Sequence, residues 1–598
     1  MFSSNKSTST STKLLIPQII QSGILLITFP AALILGILGY HEYPFGNEAV
    51  TWSNACYHSA QLFLLHAPHF GKEVPPMLEI ARWMAATSTG LVLINAAVHI
   101  FQHERMGIKL ILRRKHTIVC GLGRRGIAVV EKLHETNIRV VAIDKDPEPE
   151  IMERLHSLGI PLIIGDATKR EILKQARTKR ASNIYSVCPD DTTNISIALA
   201  AYTVSETAGS TIQCHVHIND AEVRNALQAN HKENQVIKGP KFNFIDAYGP
   251  EAISVLAQGL PLDHDGVTPN DTRQVHLIIL GFGCMGRTIA VKAAQLGQFA
   301  NRERIRISVI DRHADANKAA LLFHHPYIDD VADFSFHQQE VLSPATRLLT
   351  EKWCNEPNML VNLVICFDNP SLAYDVIFNL LPFFKKNNVR VAVRTNETES
   401  FNFLLKGAGA SKENGFHINP FGLEKEFENL IDPKKVEAEK FAIDIHTAYV
   451  AVIREEFKNN PVELENKEQS GELNPWETLR EDFRESNRQQ ALHMYFKIRA
   501  CGFEIVEETD SRLAILEFEP GLFNALSIME HDRWIAERKV NNWKYGDPSD
   551  KPNRINKNLV DWNQLTDEVK GYDEKTVARI PELLRRAGKR MVKDNGLK

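Results

Sequence analysis

The chain has 598 residues, of which 43% are hydrophobic and 24% are charged. This is ordinary globular usage, which excludes wholesale disorder and a polytopic membrane protein, and the length suits about three to five folding units. The 70 Lys and Arg residues oppose 74 Asp and Glu, so the net charge of -4 gives no general attraction for nucleic acid. We therefore expect no nucleic-acid partner.

The N-terminal 112 residues depart from this average. Residues 14–40 contain no acidic, basic or His residue and are long enough to cross a bilayer as a helix, and residues 77–101 form a second, less apolar candidate. The first run is longer than the apolar part of a cleavable signal peptide. Basic residues follow the second candidate, between 103 and 115, whereas the intervening loop has a single Lys. The positive-inside bias therefore predicts a two-span hairpin with both termini cytoplasmic.

The sequence of the loop between the two spans is compatible with two roles. Two-span cation channels have a short segment between two helices, as predicted here. However, residues 66–71 read HAPHFG and do not match a filter of backbone carbonyls such as TVGYG. A pore element and a loop lying on the bilayer surface are both compatible with this sequence.

A Gly-rich loop directly follows an apolar strand predicted at residues 117–120. Its three glycines permit a tight turn, the approach of backbone amides to a pyrophosphate, and close packing of the next helix. The two residues between the last glycines are arginines that can reach phosphate oxygens, and an acid ends the next strand about 20 residues on, where it can accept ribose hydroxyls. This order predicts a Rossmann site for NAD or another adenine nucleotide, with these candidate residues: Gly121, Gly123, Arg124, Arg125, Gly126 and Asp144.

The pattern repeats further along the chain, with Gly281, Gly283 and Gly286 after an apolar strand and Asp311 at the end of the next one. Here the spacing is longer because residues 300–306 (ANRERIR) are inserted. The second site is either occupied or a retained fold whose ligand has been lost.

Residues 115–228 continue the alternation of strands and helices, with Gly165, Asp166 and Ala167 in the loop after a predicted strand. This stretch resembles the RCK/TrkA N-terminal family, the cytosolic regulatory domains of potassium channels and transporters. The resemblance implies that Asp166 lies beside a bound NAD or other adenine nucleotide. It also implies self-association into a dimer or tetramer. The repeated half is similar to a second domain of this type.

The C-terminal third contains an internal repeat. Residues 476–502 align without a gap on residues 562–588, with Trp, Leu, Arg and the terminal Gly at the same offsets. Upstream helices carry His446 and His531 at almost the same distance from the aligned Trp. We predict two copies of one helical unit.

The second copy, EHDRWIAERKVNNWKYG and onward, resembles the RyR domain first named from ryanodine receptors, whereas the first copy lacks its WxYG element. The resemblance implies a ligand sensor that binds a nucleotide-type small molecule. Aromatic rings beside a cation can stack a base and hold a phosphate, although an aromatic hairpin core explains the same residues. The ligand candidates are Arg533, Trp534, Arg538, Trp543 and Tyr545.

These patterns predict an α/β fold with four parts: a two-span transmembrane helical hairpin over 1–112, tandem Rossmann-like (RCK) domains over 113–256 and 257–420, and an all-α tandem RyR module over 436–598. No catalytic residues and no metal site are predicted, because no acid or base suited to hydride transfer and no CxxC pair is evident. We do not expect an enzyme.

The hypothesis from sequence is a bacterial inner-membrane protein, in contact with lipid, whose nucleotide-binding domains and RyR module control cation (potassium) transport. One alternative is a non-conducting, membrane-tethered nucleotide sensor or effector in stress or defence signalling. The other is an NAD-linked oxidoreductase.

Overall fold

The computed structural model describes residues 27–42, 50–64, 66, 74–112, 114–206, 212–219, 223–224, 227, 241–246, 248–367, 369–386, 388–395, 398–410, 414–422 and 437–594. The chain divides into two compact units, Met1–Arg113 and Arg114–Lys598.

The first unit is helical. It contains α1 (Ile27–Glu42), α2 (Trp52–Leu62) and α3 (Pro76–Leu112). Among the described residues one helical stretch, Pro76–Ile94 with a mean hydropathy of 1.2, has the length and composition needed to cross a membrane. Residues 14–26 of the first predicted span, and residues 67–71 of the loop segment, lie outside the described residues. The two-span hairpin therefore stays a prediction.

Small residues allow the three helices of this unit to pack closely. A Cβ on Gly36 would lie 2.9 Å from Ser59 Oγ in α2, and a Cβ on Gly39 would lie 3.0 Å from Leu78 Cβ in α3. The Thr28 and Ser88 hydroxyls are 2.9 Å apart. Close approach at small residues with a side-chain hydrogen bond is the packing mode common in membrane helices.

The second unit begins with a six-stranded parallel sheet of order β3-β2-β1-β4-β5-β6. Most residues of strands β1, β2 and β5 are buried, as expected for a parallel sheet that helices cover on both faces. They are β1 (His116–Cys120), β2 (Val140–Asp144), β3 (Leu162–Ile164), β4 (Ala181–Ser186), β5 (Gln213–His217) and β6 (Lys241–Ile245), with helices α4 (Arg124–Glu135), α5 (Pro149–Ser157), α6 (Arg170–Gln175) and α7 (Asp191–Glu206).

A short helix, α8 (Gly249–Ser254), leads through one π-helical turn (Val255–Gly259) to a second sheet of order β12-β11-β10-β7-β8-β9. Both orders are those of a doubly wound sheet, which confirms the prediction of two Rossmann-like α/β folds. The strands are β7 (Gln274–Leu280), β8 (Ile305–Asp311), β9 (Ala332–Gln338), β10 (Met359–Ile365), β11 (Arg390–Arg394) and β12 (His417–Phe421), with α9 (Cys284–Leu296), α10 (Ala314–His324), α11 (Pro344–Cys354), α12 (Pro370–Lys386) and α13 (Thr398–Gly407).

The C-terminal module is mainly helical, but the all-α prediction is wrong in one respect, because two small two-stranded sheets, β13 with β16 and β14 with β15, belong to it. Its elements are α14 (Glu437–Glu456), α15 (Pro461–Ser470), α16 (Glu481–Ala500), β13 (Phe503–Glu507), α17 (Pro520–Val540), β14 (Lys544–Tyr545), β15 (Ile555–Asn556), α18 (Asp567–Ala578), α19 (Ile580–Arg586) and β16 (Lys589–Lys593).

The internal repeat is visible in the hydrogen bonds. His446 Nε2 lies 2.9 Å from the carbonyl oxygen of Asn474, and His531 Nε2 lies 2.9 Å from that of Val560. Each carbonyl belongs to the residue two positions before the aligned Trp, and each His ring lies 5.7 to 5.9 Å from that Trp ring. The same local structure is therefore built twice.

The two copies also face each other across a common sheet. Strands β13 and β16 each follow an aligned glycine and pair antiparallel, with Phe503 opposite Lys593 and Glu507 opposite Lys589. Since 503 aligns with 589 and 507 with 593, the pairing is symmetric about its centre. The copies are thus related by an approximate two-fold axis. They differ where Pro581 starts a new helix, so that α18 and α19 replace the single helix α16.

The insertion in the second Rossmann fold, together with Phe299 just before it, joins that fold to the helical module. Arg302 donates to Asp532 at 3.0 Å and to Asp561 at 2.7 Å, and the Phe299 ring lies 6.1 Å from that of Phe496. Apolar residues of α9, β7, β8, α14, α16 and α17 form one continuous buried cluster beneath these contacts. The second Rossmann fold and the module therefore share a core.

A buried ion network stabilises the contact between the two copies. Lys497 of α16 donates to Glu530 of α17, and Arg533 binds Glu530 at 2.9 Å and Glu537 at 2.8 Å. All four side chains are at most 6% exposed. Neighbouring cations outweigh the burial and hold the pKa of Glu530 well below its usual range, because an unpaired buried charge is very unfavourable.

We expect Glu530→Gln to destabilise the module by about 3–5 kcal/mol, because it leaves two buried cations with one fewer acid. The matched control, Glu582→Gln, removes surface ion pairs to Arg585 and Arg586 and should cost less than about 1 kcal/mol. Thermal unfolding of the full chain measures both. Equal effects of the two substitutions would contradict the structural role of the network.

Candidate nucleotide-binding site

The first Gly-rich loop has the backbone geometry that its glycines predict. Gly121 has φ of +88°, and a Cβ on it would lie 2.7 Å from Cys188 Sγ. A Cβ on Gly126 would lie 1.7 Å from the carbonyl oxygen of Gly121, so the helix approaches the strand as closely as possible. A Cβ on Gly123 would meet nothing within 4 Å. The first and third glycines are therefore needed for packing, and the second faces open space.

Gly123 is also the N-cap of α4, and its position leaves the first amides of the helix without a side-chain cap. The first N–H groups of a helix have no intrahelical acceptor, and the helix dipole favours an anion there. Open space before uncapped amides is the arrangement that accommodates a phosphate.

Asp144, at the end of the neighbouring strand β2, accepts a hydrogen bond from the Gly-rich loop. Its carboxylate accepts hydrogen bonds from the backbone N–H of Leu122 and, at 2.9 Å, from that of Asp146. The backbone N–H of Gly165 donates to the Asp144 carbonyl at 2.8 Å. Each carboxylate oxygen has a further lone pair for a ribose hydroxyl. Asp144 thus lies at the carboxyl edge of the parallel sheet, as the sequence predicts.

Asp166 lies in the loop after β3, next to Asp144. Its Oδ1 accepts from Thr168 Oγ1 at 2.6 Å and from Thr168 N at 2.9 Å. These hydrogen bonds lower the pKa of Asp166, and Lys169 and Lys145 lower it further. The loop therefore presents an ionised Asp166 carboxylate at the same edge of the sheet as Asp144.

The two arginines of the loop have different surroundings. Arg124 is exposed, whereas Arg125 is half-buried and its Cζ lies 4.6 Å from the centre of the Tyr248 ring. Sequence reasoning missed Tyr248, because the residue follows β6 and no local motif links it to the loop. Parallel strands bring both to the same edge of the sheet.

The strand ends beyond the loop are held by Asn194. Its amide nitrogen donates to the carbonyl oxygens of Cys188 and His217 at 2.8 and 3.0 Å, and its oxygen accepts from Cys188 N. Burial lowers the pKa of both His215 and His217 to about 4, and Arg125 contributes to the shift of His217. Both imidazoles are therefore neutral at pH 7.

The second Gly-rich loop repeats this backbone. Gly281 has φ of +90°, a Cβ on Gly286 would lie 2.2 Å from the Gly281 carbonyl oxygen, and Gly283 faces open space. Asp311 accepts from Phe282 N at 2.8 Å and from His313 N at 2.7 Å. The second loop therefore has the same backbone geometry as the first.

The side chains at this second loop are different. Cys284 and Met285 occupy the positions of the two arginines, and the first cation of this helix is Arg287, one residue after Gly286. Gln339 N donates to the Asp311 carbonyl at 3.2 Å, as Gly165 N does to Asp144, and Glu340 follows in place of Asp166. The first loop therefore has the better chemistry for a phosphorylated ligand.

The five RyR ligand candidates do not form one cluster. Arg533 is 3% exposed and bound by two glutamates, so the expectation that it holds a ligand phosphate does not fit the structure. Trp534 stacks on His531 with ring centres 5.7 Å apart. Arg538 lies 5.7 Å from the Trp534 ring and 5.1 Å from the Trp543 ring. Tyr545 is 57% exposed. Of the candidates, Arg538 and Trp543 contact each other, and Tyr545 is exposed nearby in the sequence.

Sequence reasoning also missed an open cleft of about 390 Å³ between α14 and α19, where the two copies of the module meet. Its lining residues are Asp444, Thr447, Ala448, Ala451, Arg586 and Ala587. Burial raises the pKa of Asp444. The cleft lies on different elements from the aromatic candidates.

His531 is hydrogen-bonded at both ring nitrogens. Its Nε2 lies 2.9 Å from the Val560 carbonyl oxygen and its Nδ1 lies 3.1 Å from Asp573 Oδ2. Burial opposes protonation of the ring, but these two hydrogen bonds outweigh it and raise the pKa of His531. Burial also raises the pKa of Asp573. The residue that marks the RyR resemblance is therefore structural.

Comparison with protein families identifies two domains of this chain. Residues 117–238 match the TrkA-N domain, and residues 516–592 match the RyR domain. The chain therefore contains one domain of each family, as the resemblances implied.

The chain is also similar to curated proteins of potassium transport. It is 35% identical over 103 residues to potassium channel protein 1 of Methanocaldococcus jannaschii, and 36% identical over 100 residues to probable potassium channel protein 2 of the same organism. It is 27% identical over 140 residues to the glutathione-regulated potassium-efflux system protein KefC of Escherichia coli. The matches cover 17%, 16% and 23% of this chain and 30%, 29% and 22% of those proteins.

Among solved structures, GsuK bound to ADP aligns with a TM-score of 0.38 and 14% identity, over 71% of this chain and 99% of that one. The GsuK channel bound to NAD aligns with a TM-score of 0.36 and 13% identity, over 72% and 85%. The two sheet orders themselves define the Rossmann-like folds of this chain.

We expect Gly126→Ala to destabilise the first Rossmann fold, because the added Cβ would lie 1.7 Å from the Gly121 carbonyl oxygen. Gly123→Ala, in the same loop, should leave the fold intact. Hydrogen exchange in β1 and α4 measures the difference, and equal exchange in the two variants would contradict the loop geometry.

The hydrogen-bonded pair of His531 and Asp573 predicts how the stability of the module depends on pH. Because the pKa of His531 is raised in the fold, its stabilisation is complete below the ordinary value of about 6.5 and is lost as the pH rises through the folded value. The melting temperature of the module should therefore fall as the pH rises from about 6.5. Asp573→Asn should flatten this dependence, and an unchanged slope in that variant would contradict it.

Proposed function

We propose that this chain is a membrane protein of the potassium-channel regulatory type, in which NAD or another adenine nucleotide binds at the first Gly-rich loop and controls cation transport. The observation that carries the proposal is the loop itself: open space at Gly123, uncapped amides of α4, two arginines and the paired acids Asp144 and Asp166. The carboxylate of Asp144 would repel a 2′-phosphate, which favours NAD over NADP.

The similarity of residues 117–238 to TrkA-N domains, and of part of the chain to potassium channel and efflux proteins, supports potassium as the transported ion. Within this proposal, the chain self-associates as a dimer or tetramer, lies in the bacterial inner membrane with both termini cytoplasmic, and senses a second nucleotide-type ligand at its RyR domain. Ligand binding shifts transport only if the two transport states bind the ligand with different affinity.

Potassium flux from liposomes that contain the full chain tests the function. We expect flux to change on addition of NAD or ADP, and Gly123→Asp to abolish that response, because a carboxylate then occupies the phosphate position. Gly521→Asp, at another exposed glycine near a helix start where a Cβ meets nothing, is the matched control. An unchanged response in Gly123→Asp would contradict the site.

A non-conducting nucleotide sensor is the second candidate, because the HAPHFG segment does not match a carbonyl filter. The same liposomes distinguish the two functions. Nucleotide binding without flux, in a preparation of verified orientation and folding, would favour the sensor.

We further propose that the nucleotide is a ligand and is not consumed in a reaction. The histidines at the end of β5, His215 and His217, are neutral and buried, so neither is poised to exchange protons near pH 7. Reduction of bound NAD by a test substrate, followed by nicotinamide absorbance, would overturn this view.

A further inference from the structure

Tyr248 lies where the two Rossmann folds of the second unit meet. It directly precedes α8 and is 6% exposed. Besides Arg125 at 4.6 Å, the ring has Arg394 at 5.9 Å, from the end of β11 in the second fold. His217, at the end of β5, contacts the ring edge-on with centres 6.0 Å apart. One aromatic ring therefore contacts a guanidinium group from each fold.

The backbone holds this ring in a fixed position. Asp246 Oδ1 accepts from Tyr248 N at 3.0 Å and from Gly249 N at 2.9 Å, and its Oδ2 binds Arg224 at 2.9 Å. A Cβ on Gly249 would lie 2.3 Å from Asp246 Oδ2, so this turn has no room for a side chain.

Helix α8 connects Tyr248 to the rest of the unit. Its Ala252, like Tyr248, belongs to the core that the second Rossmann fold shares with the helical module. Ile253 is buried against Leu492 and Tyr495 of α16. Helix α8 therefore connects Tyr248 directly to α16, in the first copy of the module.

We propose that Tyr248 is a positioning residue for Arg125, and that it couples nucleotide occupancy of the first loop to the second Rossmann fold and the helical module. This inference rests on the proposed nucleotide site. A guanidinium group can stack its face on a ring while its edge donates to phosphate oxygens, so the ring can orient Arg125 for such a contact.

The sign of the coupling follows from the orientation of Arg125. The Tyr248 ring and a phosphate at the loop both favour the orientation in which the guanidinium face lies on the ring. Nucleotide binding therefore strengthens the contact between Arg125 and Tyr248. By reciprocity, loss of the ring weakens nucleotide binding by the same factor.

A double-mutant cycle on the ligand-free full chain tests the contact. Arg125→Ala and Tyr248→Leu should each lower the melting temperature, and the double variant should lose less than the sum of the two, because both remove the same contact. Tyr248→Phe keeps the ring and should behave as the unaltered chain. Strictly additive effects would overturn the contact.

Calorimetric titration of the same proteins with ADP and NAD tests the coupling. Tyr248→Leu should weaken binding about three- to tenfold, whereas Tyr248→Phe and the control Tyr449→Leu, in α14, should not. Hydrogen exchange in α8 should slow on binding in the unaltered chain and not in Tyr248→Leu. If Tyr248→Leu had the affinity and the α8 protection of the unaltered chain, the coupling alone would be overturned. If the unaltered chain bound neither nucleotide, the nucleotide site and the coupling would be overturned together.

Discussion

The hydrogen bond between a loop amide and the acid at the end of the next strand is the constraint on which both candidate sites depend. Asp144 accepts from Leu122 N, and Asp311 accepts from Phe282 N. Each bond fixes the Gly-rich loop against its neighbouring strand and leaves the helix start open. Because the same constraint occurs in both folds, the difference between them lies in side chains, where only the first loop carries arginines.

The second Rossmann fold and the helical module behave as one structural body. Their apolar residues form a single core, and the segment after α9 adds Phe299 and the inserted Arg302 to the contact. The RyR domain therefore shares a core with the second Rossmann fold and is not a separate appendage. Helix α9, which begins at the second loop, packs on α17 of the module.

The sequence predicted much of this arrangement. Glycines whose replacement would clash, and acids at strand ends, are dictated by backbone geometry, so the two Rossmann folds and the residues of the first loop could be placed in advance. The repeat at Trp476 and Trp562 could also be found, because its spacing is fixed by a His-to-carbonyl hydrogen bond in each copy.

Other features depend on contacts between distant residues and leave no local signal. Arg533 looked like a phosphate ligand, since a basic residue between aromatic residues has the same sequence pattern whether it faces solvent or two buried glutamates. Tyr248 had no motif to mark it. Strand β12 was missed because its residues, HINPF, include Pro420 and Asn419, which are unfavourable in strands; at the sheet edge they are tolerated.

The antiparallel pair β13 and β16 has a consequence for how the module arose and how it assembles. Each copy supplies one strand, so neither copy can complete the sheet by itself. A nascent chain that has emerged only as far as the first copy exposes an unpaired edge, which is a template for intermolecular pairing. Duplication within one polypeptide removes that hazard, because the second copy closes the edge at an effective concentration that no separate molecule reaches.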